Sequence, residues 1–202
     1  IFICMRRFTI LIGIDGCGGS GKSTLATELM DRLKGIRETS IVHMDDFYLP
    51  SKERDNIRNQ DGIGVNFDWK RLQNQILLPM SNGAAGYYQR YDWNSDSLLE
   101  WCTVPPGIVI IEGVYTLRQE LFNFYHFTIW AETPHETRLL RGIERDGEEM
   151  RNTWEQDWMP AEQHYVETEQ PHRRADLIID GADNHKRWLP TFITQIINCM
   201  KD

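Results

Sequence analysis

The stretch Gly16-Cys17-Gly18-Gly19-Ser20-Gly21-Lys22-Ser23 constrains this chain more than any other part of it. It fits the pattern G-x-x-x-x-G-K-[ST], a loop whose glycines let successive backbone N–H groups turn inward around phosphate oxygens. Its flanks match the pattern. Residues 9–14, Thr-Ile-Leu-Ile-Gly-Ile, form an apolar, β-branched run that reads as a buried strand. After the loop, Leu25, Leu29, Met30 and Leu33 recur at helical spacing. A strand, a glycine loop and a helix place the positive end of the helix beneath the loop. In that setting Gly16, Gly18, Gly19, Ser20 and Gly21 are expected to cradle the phosphates of a nucleotide. Lys22 would reach the β- and γ-phosphates, and the Ser23 hydroxyl would ligate Mg²⁺. A glycine-rich turn that binds nothing would not require the strand and helix around it.

The 202 residues suit one α/β domain with a small insertion. Hydrophobic residues make up 41% and charged residues 26%, the balance of a soluble globular chain. The formal net charge of -8 argues against a general nucleic-acid binder, so an anionic ligand needs a local basic pocket. No apolar run reaches the length of a membrane span. Residues 1–7 place apolar residues before the basic ones and do not read as a signal peptide. Cys4, Cys17, Cys102 and Cys199 are scattered with no C-x-x-C pair, which suits a reducing, cytoplasmic setting. No His spacing suggests zinc.

Beyond the first helix, residues 39–44 read as a second strand ending at Asp45-Asp46. Residues 51–66 are polar and read as a surface loop. Asp68 is a candidate helix cap ahead of Trp69, Leu72, Ile76 and Leu77, with Pro79 expected to stop that helix. Residues 83–101 alternate like a hairpin. Residues 108–111, Ile-Val-Ile-Ile, read as a central parallel strand ending at Glu112. A strand near 124–131 follows. Thr133-Pro134 then reads as the cap and first position of an arginine-rich helix. Residues 151–168 read as helical, broken by Pro160; a short strand spans 175–180, and an amphipathic helix closes the chain. Strands alternating with helices imply a three-layer α/β sandwich of the P-loop NTPase type. Its mainly parallel five-stranded sheet carries helices on both faces, with a small insertion or lid.

Parallel sheets bind ligands beyond the carboxyl ends of their strands. Those ends carry the glycine loop, Asp45-Asp46 and Glu112, with the arginine-rich helix following. Together they supply what phosphoryl transfer needs: a phosphate cradle, Mg²⁺ ligands, a base and cations. Asp45 or Asp46 would accept a proton from an acceptor hydroxyl. Glu112 would join Ser23 at the metal. Arg138, Arg141, Arg145 and Arg151 would supply a lid over the γ-phosphate, or else a solvated face paired with Glu144, Glu148 and Glu149. Tyr87, Tyr88, Tyr91 and Trp93 would stack on a substrate or simply pack the hairpin.

Several segments together resemble the uridine kinase family of P-loop kinases, relatives of phosphoribulokinase and bacterial pantothenate kinase. They are the loop at 14–23, Met44-Asp45-Asp46-Phe47-Tyr48, Asn66-Phe67-Asp68, Tyr91-Asp92-Trp93, Ile111-Glu112-Gly113, Arg145-Asp146 and Ala175-Asp176-Leu177. The resemblance implies that Asp45 is the base for a ribose 5′-hydroxyl, that Asp68 holds sugar hydroxyls and that Tyr91 contacts a nucleobase. It implies a metal role for Glu112 and lid roles for Arg141 and Arg145. It also puts Tyr48 on the acceptor side and Thr24 on the nucleotide side. Residues 51–101 would then be the acceptor-binding region and 138–160 the lid. The chain departs from the family in two places. Asn94-Ser95-Asp96 stands where members that bind uracil or cytosine carry a His, and the lid lacks an Arg-Gly-Arg run.

The expected activity is a small-molecule kinase using ATP or GTP with Mg²⁺, with a nucleoside such as uridine or cytidine as acceptor. Pantothenate, ribulose 5-phosphate or another ribosyl compound stay open as acceptors, as does binding without catalysis. A homo-oligomer also stays open. A switch or motor ATPase fits less well, since no N-K-x-D or L-S-G-G-Q stretch is present.

Overall fold

The computed structural model describes residues 9–57, 62–182 and 187–200. The amino-terminal stretch with Cys4 lies outside the described residues. Five parallel strands form the main sheet: β1 (Ile10–Asp15), β2 (Thr39–His43), β5 (Ile108–Glu112), β6 (Phe127–Glu132) and β7 (Leu177–Asp180). Their order is β2-β5-β1-β6-β7, so β1 is central and both its neighbours come from much later in the chain. The register sets Ile14 beside Glu112, and His43 beside Glu112 on the other side. This aligns the carboxyl ends of β2, β5 and β1 at one edge. A separate antiparallel hairpin, β3 (Gly86–Asp92) with β4 (Ser97–Val104), stands apart from the sheet.

Alternation along β1 splits the core in two. Ile10, Ile12 and Ile14 face one layer, packed with Leu25, Leu29 and Leu33 of α1 (Lys22–Leu33) and with Leu189, Phe192 and Ile196 of α10 (Leu189–Cys199). Leu11 faces the other. There it joins Val109, Ile111 and Trp130 with Leu72, Ile76 and Tyr165, contributed by the helical segments after β2 and after β6. Strands buried on both faces account for the near-continuous apolar sequence of β1 and β5. Truncating one such residue, Leu29→Ala for example, costs roughly 2–5 kcal/mol.

The remaining α-helices in chain order are α2 (Ser51–Ile57), α3 (Trp69–Leu72), α4 (Leu78–Ser81), α5 (Gln119–Phe122), α6 (His135–Asp146), α7 (Arg151–Thr153), α8 (Met159–Glu169) and α9 (Pro171–Arg174). Four expectations are corrected. Residues 51–57 are helical and not loop, tied down by Arg54, which donates to the Leu49 carbonyl and to Ser51 Oγ. Pro79 does not stop its helix: wide π-turns at Gln73–Leu77 precede it and the chain continues through α4. Pro160 behaves alike, behind the π-turns of Trp154–Trp158 and inside α8. In both places the widened turn accommodates a ring that would clash in a regular α-helical ladder. Finally, Thr133 does not cap α6. Pro134 occupies the cap position, and the Thr133 hydroxyl donates instead to the carbonyls of Glu132 and Ser20.

Candidate active site

The loop after β1 is shaped by backbone positions few residues tolerate. Gly19 (φ 74°) and Gly21 (φ 92°) are left-handed, which L-residues adopt only with strain. A Cβ on Gly19 would also lie 2.5 Å from the Arg138 carbonyl oxygen. Behind the loop, buried Asp15 accepts hydrogen bonds from the N–H groups of Gly16 (2.6 Å) and Leu117 (2.7 Å) and from the Tyr165 hydroxyl (2.7 Å). Burial still dominates and pushes its carboxyl up to about 6, against those three hydrogen bonds and the charge of Lys22.

The expected nucleotide residues converge here. Lys22 is buried and donates to the Cys17 carbonyl (2.9 Å), which lays its ammonium over the loop. Ser23 and Thr24 open α1. Arg141 donates to the carbonyls of Gly19 (3.2 Å) and Gly181 (3.1 Å), fastening α6 to the loop and to the end of β7. The Ser20 hydroxyl is buried and finds no hydrogen-bond partner among the described residues. An inward-turned loop with an orphaned hydroxyl and a lysine fits an anion's oxygens.

At the aligned strand ends, Ser23 Oγ donates to Glu112 Oε1 (3.1 Å), and His43 Nδ1 lies 2.5 Å from the same oxygen. Burial raises Glu112, but the His43 bond, the charges of Lys22 and His43, and the Ser23 bond together hold its carboxyl below the usual range. His43 moves the opposite way, raised by its bond to Glu112. Two hard oxygen donors, one carboxylate and one hydroxyl, suit Mg²⁺, which takes one or two carboxylates and completes its shell with phosphate and water.

Asp45 and Asp46 follow β2 in a short turn, Met44–Phe47, and separate in role. Asp46 accepts the Tyr88 hydroxyl (2.8 Å). Asp45 opens to the cleft, yet the walls around it strip away bulk water and raise its pKa. The negative charge of Glu112 adds to this, and Lys22, His43 and Arg145 oppose it. Arg145 is paired with Asp146 (2.7 Å), and its charge reaches Asp45 and Glu112. Arg138, by contrast, is buried and bound to Glu162 (3.1 Å), so it belongs to neither a solvated face nor an open lid.

The acceptor candidates lie on the hairpin side. Tyr91 donates to Asp96 (2.7 Å), which also accepts the Ser51 N–H. Tyr48 sits among Phe67, Tyr91 and Trp93, with Arg54 over its ring at 4.6 Å. Asp68 caps α3 by accepting the Arg71 N–H (3.0 Å). It also borders an open cavity of about 440 Å³ with Leu49, Glu53, Val65, Phe67 and Trp69. Of the aromatics at 87–93, Tyr88 stacks on Phe47 and Tyr87 on Trp101, so both pack the hairpin.

The sequence marks Glu162 only as part of a segment, Trp154, Trp158, Pro160, Glu162 and Tyr165, expected to pack the lid helix against the body, and assigns it no chemical role. Glu162 is buried, and its Oε1 accepts the Gly18 N–H of the loop at 2.9 Å. The signal was a carboxylate inside the stripe Trp154, Trp158, Glu162, Tyr165, whose spacing puts all four on one helical face.

With this geometry in view, residues 11–186 match the model of the phosphoribulokinase/uridine kinase family. The chain belongs to that family. It is a kinase, a phosphotransferase on a P-loop nucleotide-binding fold. It is similar to a uridine kinase of Lactobacillus johnsonii, 28% identical over 95% of this chain and 97% of the relative. It is also similar to the structure of a possible uridine kinase from Bacillus stearothermophilus (TM-score 0.65, 25% identity, 85% of this chain and 89% of that one). Phosphoribulokinase from Rhodobacter spheroides shares the fold of this family kinase (TM-score 0.60) at 12% identity, over 91% of this chain and 76% of that one. No helix among the described residues is long and apolar enough to cross a membrane.

Proposed function

We propose that this kinase transfers the γ-phosphoryl of ATP to the 5′-hydroxyl of a nucleoside, with uridine or cytidine as the leading acceptors. The observation that carries the reading is the convergence of the glycine loop, Lys22, the Ser23–Glu112 pair and the carboxyl of Asp45, unengaged among the described residues, at one sheet edge. The names of the similar relatives support the choice of acceptor.

The phosphates would lie along Gly16, Gly18, Gly19, Ser20 and Gly21, with Thr24 on the same side. Ser23 and Glu112 would hold Mg²⁺, which when bound screens the phosphate charge. Lys22 would leave the Cys17 carbonyl and donate to the β- and γ-oxygens. Asp45 would take the proton from the acceptor hydroxyl, and the burial that raises its pKa makes it a stronger base. Arg145 would stabilise the migrating charge, while Arg141 would hold the loop and the start of the lid, residues 138–160. Tyr48, Asp68 and Tyr91, within residues 51–101, would hold the acceptor. The free thiols of Cys17, Cys102 and Cys199 support a reducing, cytoplasmic setting.

The test is Mg²⁺-dependent ADP release across a panel of nucleosides, pantothenate and sugar phosphates. Stimulation by uridine or cytidine, with the 5′-monophosphate formed, is expected. Stimulation by pantothenate or a sugar phosphate alone moves the acceptor to that class. No stimulation by any of them removes the transfer reading.

A further inference from the structure

The segment after the lid helix carries an indole that no step above uses. Trp154 is 2% exposed and lies in the π-turn between α7 and α8. Its ring rests on two glycines. A Cβ on Gly18 of the loop would come within 2.8 Å of the ring, and one on Gly142 of α6 within 2.5 Å. Any larger residue at either position would push the indole away. Its Nε1–H donates to Asp146 Oδ2 at 3.0 Å. Asp146 in turn grips Arg145 with both oxygens, at 2.7 and 2.9 Å. The Arg145 guanidinium lies 5.8 Å from the Trp154 ring centroid.

Adjacent residues on a helix do not face each other, so an Arg145–Asp146 fork is not an ordinary helical pair. It forms at the last turn of α6, just before Gly147 leaves the helix at φ 97°. The indole N–H is the contact that fixes Asp146 there. The Arg145 side chain is 67% exposed, and a long exposed side chain would otherwise sample many rotamers. Glu162 anchors the other end of the segment, one oxygen on the Gly18 N–H and the other on Arg138. Gly18 is thus gripped twice, by an indole above and a carboxylate beside it.

We propose that Trp154 is a positioning residue for phosphoryl transfer: seated on Gly18 of the loop, it holds Asp146, and through Asp146 it sets Arg145 at the mouth of the cleft. Loop and lid then move as one piece, and the arginine is preorganised where charge develops. This rests on the reading of Arg145 as the cation for the transferring phosphoryl.

The test uses the whole protein and Mg²⁺-dependent hydrolysis of ATP, so that water serves as acceptor whichever metabolite is the natural one. Arg145→Ala is expected to lower kcat. Trp154→Phe keeps an aromatic ring in the segment but removes the N–H and the outer edge of the indole, Cη2 and Cζ3, that lies over Gly18, and should lower kcat about tenfold with KM for ATP within twofold. In the Arg145→Ala background, Trp154→Phe should cost less than a further twofold, because the two act as one unit. Asp146→Asn, at a partly exposed position, reads the same relay if Trp154→Phe does not fold. It should give the same drop and the same loss of additivity. Full activity of Trp154→Phe or Asp146→Asn beside an impaired Arg145→Ala overturns the positioning role, as do additive losses in the double variants. Full activity of Arg145→Ala itself overturns the assignment of Arg145 and leaves the identity of the acceptor untouched.

Discussion

Ser23 Oγ and Glu112 Oε1 meet at 3.1 Å, joining the first turn of α1 to the last residue of β5 across nearly ninety positions of sequence. The parallel register of β1 with β5 makes the meeting unavoidable, since Ile14 and Glu112 are partners and the loop then returns over them. In the proposed reading this oxygen pair, held between α1 and β5, is where Mg²⁺ would bind.

Replacing Glu112 by Gln should therefore raise the free Mg²⁺ needed for half-maximal activity by about 10–100-fold, the usual cost of disturbing a tuned metal shell. Activity titrated against free Mg²⁺ checks this. An unchanged midpoint would remove Glu112 from the metal.

The two aspartates after β2 should separate on mutation. Asp45→Asn is expected to lower kcat by about 10²–10⁴-fold, the range of a lost general base, with KM for ATP within twofold. Asp46 already accepts the Tyr88 hydroxyl, so Asp46→Asn should retain most of kcat and lose some stability. Steady-state kinetics of both variants decide the matter, and the reverse ranking contradicts the assignment.

Gly19→Ala should damage the loop itself. The position is left-handed at φ 74°, and a methyl group would meet the Arg138 carbonyl at 2.5 Å. Backbone strain of this kind costs about 1–3 kcal/mol. Urea unfolding should show that loss together with a KM for ATP raised at least about tenfold, since distorted N–H groups lose their aim.

Asp15 gives a pH signature. Its folded-state pKa of about 6 lies above the ordinary 3.8, so the folded protein binds this proton more tightly than the unfolded chain. The stabilisation is fully present below pH 3.8 and is lost as pH rises through 6. A shift of about two units corresponds to about 3 kcal/mol. Carbon NMR of the Asp15 carboxyl should give a midpoint near 6, whereas a midpoint below 4 contradicts the burial argument.

Much of this architecture was legible in residue patterns. The apolar β-branched runs of β1 and β5 could only be central strands, and the glycine loop between β1 and α1 carried its own chemistry. What was not legible depended on distant partners. Residues 51–57 lack an apolar stripe, and the start of their helix is held by Asp96, 45 positions away, which accepts the Ser51 N–H. Pro79 and Pro160 read as breaks because a π-turn leaves no mark in composition. Arg138 and Arg141 looked like one cationic face, yet Glu162 takes the first and loop carbonyls take the second. Glu162 lies 24 positions beyond Arg138, whereas Gly19 and Gly181 lie 122 and 40 positions from Arg141.

The most direct test of the central claim is phosphorus NMR of the whole protein incubated with ATP, Mg²⁺ and uridine or cytidine. The proposed transfer yields ADP together with the nucleoside 5′-monophosphate, above the slow background of ATP hydrolysis, and the Asp45→Asn variant forms the monophosphate about 10²–10⁴-fold more slowly. ADP with inorganic phosphate alone, or a monophosphate formed equally well by Asp45→Asn, would contradict it.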